Sequence, residues 1–201
     1  MKLNTFTRTL AGSALVAATL GMTLSANAKT VPFGVGFVTV QDLDITQANA
    51  LTFGQNVIGT AGSTCTLGVT VYPGAGVTAA ASTAAINDNI TGAGCIAVAG
   101  SLTNNLAGVY QISGANSQAF NVTVNSATGT AFSFSPTGRV ADLATGLTAG
   151  GTTVFANTPQ ATTTDAAGLA LLVVSGTITI GATDLTPNTP YSQTFDITAT
   201  Y

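Results

Sequence analysis

Two cysteines, Cys65 and Cys95, and seven aspartates are the side chains of this 201-residue sequence best equipped for covalent, redox or acid–base chemistry. Histidine and glutamate are both missing. Without an imidazole there is no Ser-His-Asp or Cys-His catalysis and no His-ligated metal. The cysteines stand 30 positions apart, with no CxxC spacing and no base beside either one. A nucleophilic or redox role therefore lacks the partners that activate a thiolate. A disulfide closing a loop of about 30 residues contributes about 3–4 kcal/mol by restricting the unfolded chain, and that is the role expected of the pair. Asp42 and Asp44 form a DxD, but a calcium site needs about six to eight oxygens. Residues i and i+2 of a strand share one face, so these two are expected as solvated strand residues. No enzyme activity, metal or cofactor is expected. Four Lys+Arg are too few to track a nucleic-acid backbone.

The elements that must position these groups begin after a leader. Lys2 and Arg8 give a basic start, Leu10 to Leu24 an apolar stretch, and Ala26-Asn27-Ala28 a small-x-small site. That is the three-part pattern of a secretory signal peptide over residues 1–28, cleaved between Ala28 and Lys29. The apolar stretch runs about 15 residues, short of the roughly 20 that a membrane span needs, so no membrane anchor is expected. Cleavage leaves Lys29 and Arg139 against seven Asp, a net charge of −5. Such a chain disfavours anionic lipid and nucleic acid. Export to the periplasm and on to the cell surface or exterior suits a disulfide.

The remainder reads as strands. Charged residues are only 5% and hydrophobic ones 46%, so the chain is neither an ordinary charged surface nor a disordered tail. Val- and Thr-rich runs alternate with Gly, Pro and Asn at the spacing of a β-sandwich. Extended segments are expected over Phe33 to Ile45, Leu51 to Phe53, Thr64 to Tyr72, Cys95 to Ala99, Gly108 to Ser113, Ala119 to Val124, Thr130 to Phe134, Leu169 to Ile180 and Gln193 to Tyr201. Gly74 to Gly94 reads as a long loop. Val77 to Asn87 is Ala-rich but carries no 3.6-residue stripe, and Asp142 to Leu147 is too short to matter, so little helix is expected. Leu169 to Ile180, uncharged and of high β-propensity, must be a central strand. Asn121-Val122-Thr123 is a sequon, read here as plain strand. The Thr-x-Thr pairs Thr64/Thr66, Thr128/Thr130, Thr177/Thr179 and Thr198/Thr200 follow no fixed period, which argues against an ice-binding solenoid.

Three segments carry a resemblance. They are Ala50-Leu51-Thr52-Phe53-Gly54, then Gly108 to Gly114 with Phe120 to Val124, and finally Gly176 to Ile180 leading to Tyr191 through Tyr201. In order and spacing they resemble the secreted bacterial proteins grouped as domain of unknown function 4402, the fimbrial and spore-coat-U-like β-sandwich subunits of Gram-negative bacteria. The last strand departs from that pattern, since Pro190 precedes Tyr191. The resemblance implies a surface or fimbrial structural protein and carries over no catalytic residue. The expected fold class is therefore all-β, a single immunoglobulin-like antiparallel β-sandwich with one disulfide. Its organisation is signal peptide 1–28, N-terminal arm 29–38 and sandwich domain 39–201.

Within that frame the arm stands out. Val31, Phe33, Val35 and Phe37 occupy one phase of a strand, and Pro32, Gly34 and Gly36 the other. Large side chains at alternate positions suit a donor strand that fills a groove in the next subunit. The same residues also suit the domain's own first strand, so cis and trans placements both stand. Tyr191, Phe195, Ile197 and Tyr201 share one face of the C-terminal strand with Gln193 and Ala199. In chaperone–usher subunits such a strand pairs with the chaperone, although here Tyr201 is the last residue and Pro187 to Pro190 replace the glycine sought upstream. The expected function is a pilin-like subunit that polymerises by strand addition, with itself as partner and a periplasmic chaperone and outer-membrane usher as assembly factors. The alternative is a monomeric secreted adhesin or carbohydrate-binding module, for which Tyr72, Tyr110 and Phe155 are the loose aromatic candidates.

Overall fold

A computed structural model describes residues 36–37, 39–101 and 105–201. Residues 39–201 form one compact unit, a sandwich of two antiparallel sheets. The larger sheet is organised by the most apolar strand. Val69, Val109, Leu171 and Val173 lie on its outer face, while Ala170, Leu172 and Val174 look inward; this continuous apolar run occupies the first half of Leu169–Ile180. The second half alternates, with Thr177 and Thr179 outward and Ile178 and Ile180 inward. A continuous run implies cover on both faces and an alternating one cover on a single face, and both occur in this one strand.

Twelve strands are present among the described residues. They are β1 (Asp44–Asn49), β2 (Thr64–Val71), β3 (Asn87–Thr91), β4 (Val98–Ser101), β5 (Gly108–Ser113), β6 (Ala119–Val124), β7 (Ala127–Thr128), β8 (Phe132–Asp142), β9 (Thr152–Phe155), β10 (Gln160–Thr163), β11 (Leu169–Ile180) and β12 (Ile197–Thr200). β11 pairs with β8 along its whole length, from Ala170 opposite Asp142 to Ile180 opposite Phe132. Its other edge is shared. Leu169 to Val174 face β5, and Gly176 to Thr179 face β2. Gly176 marks the parting, at φ +152°, where a Cβ would run into the Ser135 carbonyl of β8; only glycine fits there. β1 lies outside β5, β3 and β4 lie outside β2, and β7 and β9 lie outside β8. The smaller sheet is three-stranded, in the order β10-β6-β12.

The parting of β2 and β5 leaves backbone to satisfy. Asp88 of β3 does so, its Oδ2 accepting the Leu106 and Ala107 amides at 2.7 and 3.2 Å. Burial pushes its carboxyl above the ordinary carboxylate range, and the two amide hydrogen bonds pull the other way. Between the sheets lies one core, centred on Leu67, Ile90, Ile112, Phe120, Val122, Val124 and Leu172. A second core covers the outer face of the larger sheet, where α1 (Ala79–Ser82) and α2 (Gly146–Gly150) bring Ala79, Ile86 and Leu147 onto Val109, Leu171 and Val173. Cys65 and Cys95 form the disulfide, with Cα atoms 5.3 Å apart.

Strands β5, β6 and β11 coincide with the segments expected from the sequence. Other expectations need correction. The extended segment placed over 33–45 is strand only from Asp44 among its described residues, and Leu51 to Phe53 is tied by Thr52 N to Leu106 O and by a turn in which Asn56 N donates to Phe53 O, rather than by a strand. Cys95 makes a single bridge to Val57, and the strand there begins at Val98. The loop read over Gly74 to Gly94 contains α1 and β3, and Asp142 to Leu147 leads into α2. The C-terminal strand is Ile197–Thr200 instead of Gln193 to Tyr201.

Candidate functional site

Two strands end their sheets on the same side of the sandwich. β1 is the last strand of the larger sheet and β12 the last of the smaller. Among the described residues no strand pairs with the outer edge of either one. Between them runs a cleft of about 390 Å³, lined by Ile45, Leu51, Tyr110, Phe195 and Ile197 together with Gln47 and Gln193. Past Phe195 and Leu51 the cleft meets a larger cavity of about 860 Å³. The apolar wall of the cavity is Phe53, Phe132, Phe134, Ile178 and Ile180, and residues 185–193 cross over it as a strap. Neither lining contains a charged side chain.

The inter-sheet core is unfinished here. Leu43, Ile45, Leu51, Val57, Phe132, Leu185, Phe195, Ile197 and Ala199 pack on the core yet stay half-exposed. Phe195 stands at the junction of cleft and cavity. Its ring meets Tyr110 edge-on at 6.4 Å and Phe134 at a tilt at 5.2 Å. Aromatic pairs at these separations orient one another, which holds Phe195 across the groove. Burial raises the Tyr110 phenol above its usual range.

Each end of the groove is tied. At one end the Tyr201 hydroxyl accepts the Ala115 amide at 2.6 Å and donates to the Gln41 carbonyl at 2.8 Å, joining β12 to the segment before β1. Asp42 and Asp44, both exposed, follow Gln41 directly. At the other end the strap is pinned. Asp184 Oδ1 accepts the Ala61 amide at 2.8 Å, the Leu185 amide donates to Gly59 O at 2.8 Å, and the Tyr191 hydroxyl accepts the Thr186 amide at 2.9 Å. Gly59 has φ +79°, and a Cβ on it would sit 2.9 Å from that of Leu185, so a side chain there would push the strap away. The disulfide contributes at one remove. It fixes Cys95, which bridges Val57, while Ile58 N donates to Gly94 O at 2.8 Å and Ile96 N to Asn56 O at 2.7 Å. Residues 55–58, one wall of the cavity, hang on that ladder.

Of the residues singled out in the sequence, Phe195 and Ile197 lie in the groove wall, Tyr191 lines the cavity and Tyr201 closes the end. Phe37 is outside any strand and 90% exposed. Ala28, Lys29, Val31, Phe33 and Val35 lie outside the described residues. The aromatic trio scatters. Tyr110 is core, Tyr72 lies under the Arg139 guanidinium at 4.9 Å from its ring, and Phe155 alone is well exposed, at 55%. Leu51, Phe53, Phe132 and Leu185 were not singled out. The expected strands Leu51 to Phe53 and Thr130 to Phe134 contained three of them, but nothing in the sequence brought those segments together with Leu185.

No nucleophile or titrating pair lines the groove. What the arrangement offers is unpaired strand edge flanked by apolar pockets, the two requirements for capturing an extended segment. Comparison of the chain with protein-family models, curated proteins and solved structures yields no match.

Proposed function

We propose that this protein is an exported structural subunit of the cell surface, of the fimbrial and spore-coat-U-like kind, that polymerises by β-strand addition. The arm Val31, Phe33, Val35 and Phe37 of one copy enters the groove between β1 and β12 of another. A periplasmic chaperone and an outer-membrane usher serve its assembly in this reading. One observation carries it: both sheets end on the same side, and the core between them is left half-exposed along that side. An added strand would extend backbone pairing and cover Ile45, Phe195, Ile197 and Ala199 at the two-residue spacing of its own side chains. The uncharged linings suit an arm whose inward phase is wholly apolar.

The test is surface shearing of the native bacterium, followed by electrophoresis of unboiled and boiled samples and electron microscopy. The expected result is thin filaments and a ladder that collapses on boiling. Deletion of residues 29–38 should leave monomer; normal filaments from that deletion would overturn the reading, and a single monomer band with no filaments from the native surface would favour a monomeric binding module.

A further inference from the structure

The groove has two unlike ends, and the arm has two unlike ends. One groove end is acidic on its surface, with Asp42 and Asp44 beside the Tyr201 closure. The other opens into the uncharged cavity of about 860 Å³ faced by Phe53, Phe132 and Phe134. The arm begins with Lys29, the sole basic side chain before Arg139 once residues 1–28 are removed, and ends with Phe37. Cleavage after Ala28 adds an α-amino charge at the Lys29 end.

We propose that Phe37 of a second copy fills this cavity, with its arm running antiparallel to β12 and Lys29 against Asp42 and Asp44. This inference rests on the strand-addition reading above and adds direction, register and anchor to it. Length agrees. Lys29 to Phe37 covers eight residue steps, as does Tyr201 back to Gln193, of which Ile197–Thr200 is already strand; fully extended, each stretch would span about 26 Å. Antiparallel alignment then sets Val31 by Ala199, Phe33 by Ile197, Val35 by Phe195 and Phe37 by Gln193, at the cavity mouth. Charge agrees as well. The reverse direction drives Lys29 into an aromatic, uncharged cavity, and burying an unpaired ammonium is strongly unfavourable. Chain reach separates copies. A chain's own Phe37 lies six steps before its Leu43, a tether of at most about 22 Å. Leu51, at the cavity, lies eight residues beyond Leu43, past the far end of β1. A self-inserted arm must double back along β1, which places Phe37 at the acidic end and Lys29 at the apolar one.

Engineered cysteines in the full mature chain read this out. Thr30→Cys with Thr200→Cys should yield a ladder of covalent oligomers on a non-reducing gel, and Gly36→Cys with Thr200→Cys should not cross-link. A fast-migrating cross-linked monomer from the second pair would overturn the inference while leaving the groove a strand acceptor in cis. Filaments that form normally but give no ladder from the first pair would overturn the register alone. Absence of filaments and of both cross-links would sink the strand-addition reading itself. Phe37→Ala should weaken capture of a synthetic peptide of residues 29–41 about tenfold or more. Lys29→Gln should slow assembly and flatten its salt dependence; equal capture and an unchanged salt profile would overturn the anchor assignments.

Discussion

The two hydrophobic cores share strand β11 yet end differently. Under α1 and α2 the outer core is covered, with Val109, Leu147 and Val173 fully buried, Leu171 nearly so, and only Val69, Tyr72 and Leu169 partly exposed at its rim. Between the sheets, burial is complete around Val122, Val124 and Leu172 but fades toward β1 and β12, where Ile45, Phe195 and Ile197 remain half-exposed. The covered core closes with about ten helical residues laid on one face of a sheet. The open one borders a cleft of about 390 Å³ between β1 and β12. The difference separates residues shut off from water from residues that still meet it.

Truncation measures that contrast most directly. Leu171→Ala should cost about 2–5 kcal/mol in urea unfolding, as a buried leucine deletion does. Ile197→Ala should cost the isolated chain about 1 kcal/mol, because part of its area already meets water. Equal losses would mean that the open side is covered within one chain. The disulfide comes next. Replacing Cys65 and Cys95 by Ser should lower stability by about 3–4 kcal/mol. It should also raise hydrogen exchange at residues 55–58, whose ladder hangs from Cys95; protection unchanged there would detach the disulfide from the groove wall.

Asp88 sharpens the comparison through pH. Its folded carboxyl titrates above the reference value of 3.8, chiefly because it is buried. The folded state therefore holds that proton more tightly than the unfolded chain, and Asp88 stabilises most at low pH. Its contribution falls as pH rises from about 3.8 through the raised folded value. Asp88→Asn should remove this slope, seen as urea midpoints whose gap from wild type changes across that window; parallel profiles would refute it. The smallest effect belongs to the groove end. Tyr201→Phe removes both hydroxyl hydrogen bonds at a half-exposed site and should cost about 1 kcal/mol, with exchange rising at Ala115.

The legible part of this fold was its alternation. β5, β6 and β11 are readable residue for residue because each puts apolar side chains at two-residue spacing or in an unbroken run. β8 was half-missed, since Ser135-Pro136-Thr137-Gly138 reads as a turn. In the structure Pro136 pairs only with β11, in the gap between the short partners β7 and β9, where its missing amide proton costs nothing. β3, with its Asn-Asp-Asn, defies strand propensity because Asp88 serves the parting of two neighbours. The groove was legible only along Phe195 and Ile197. Its other walls combine strand residues such as Ile45, Tyr110 and Ile178, whose convergence on one groove is set by tertiary packing, with the irregular segments 51–59 and 185–193.

The placement of β11 also sets a schedule. The strand on which the large sheet is built is the eleventh of twelve in chain order, and its hydroxyl pair Thr66–Thr177 spans 111 residues. During synthesis, β2, β5 and β8 emerge long before the strand that joins them. Topologies dominated by such distant pairings fold slowly, and unpaired edges exposed meanwhile invite aggregation. Until β11 is made, β2, β5 and β8 lack the neighbour that joins them into one sheet.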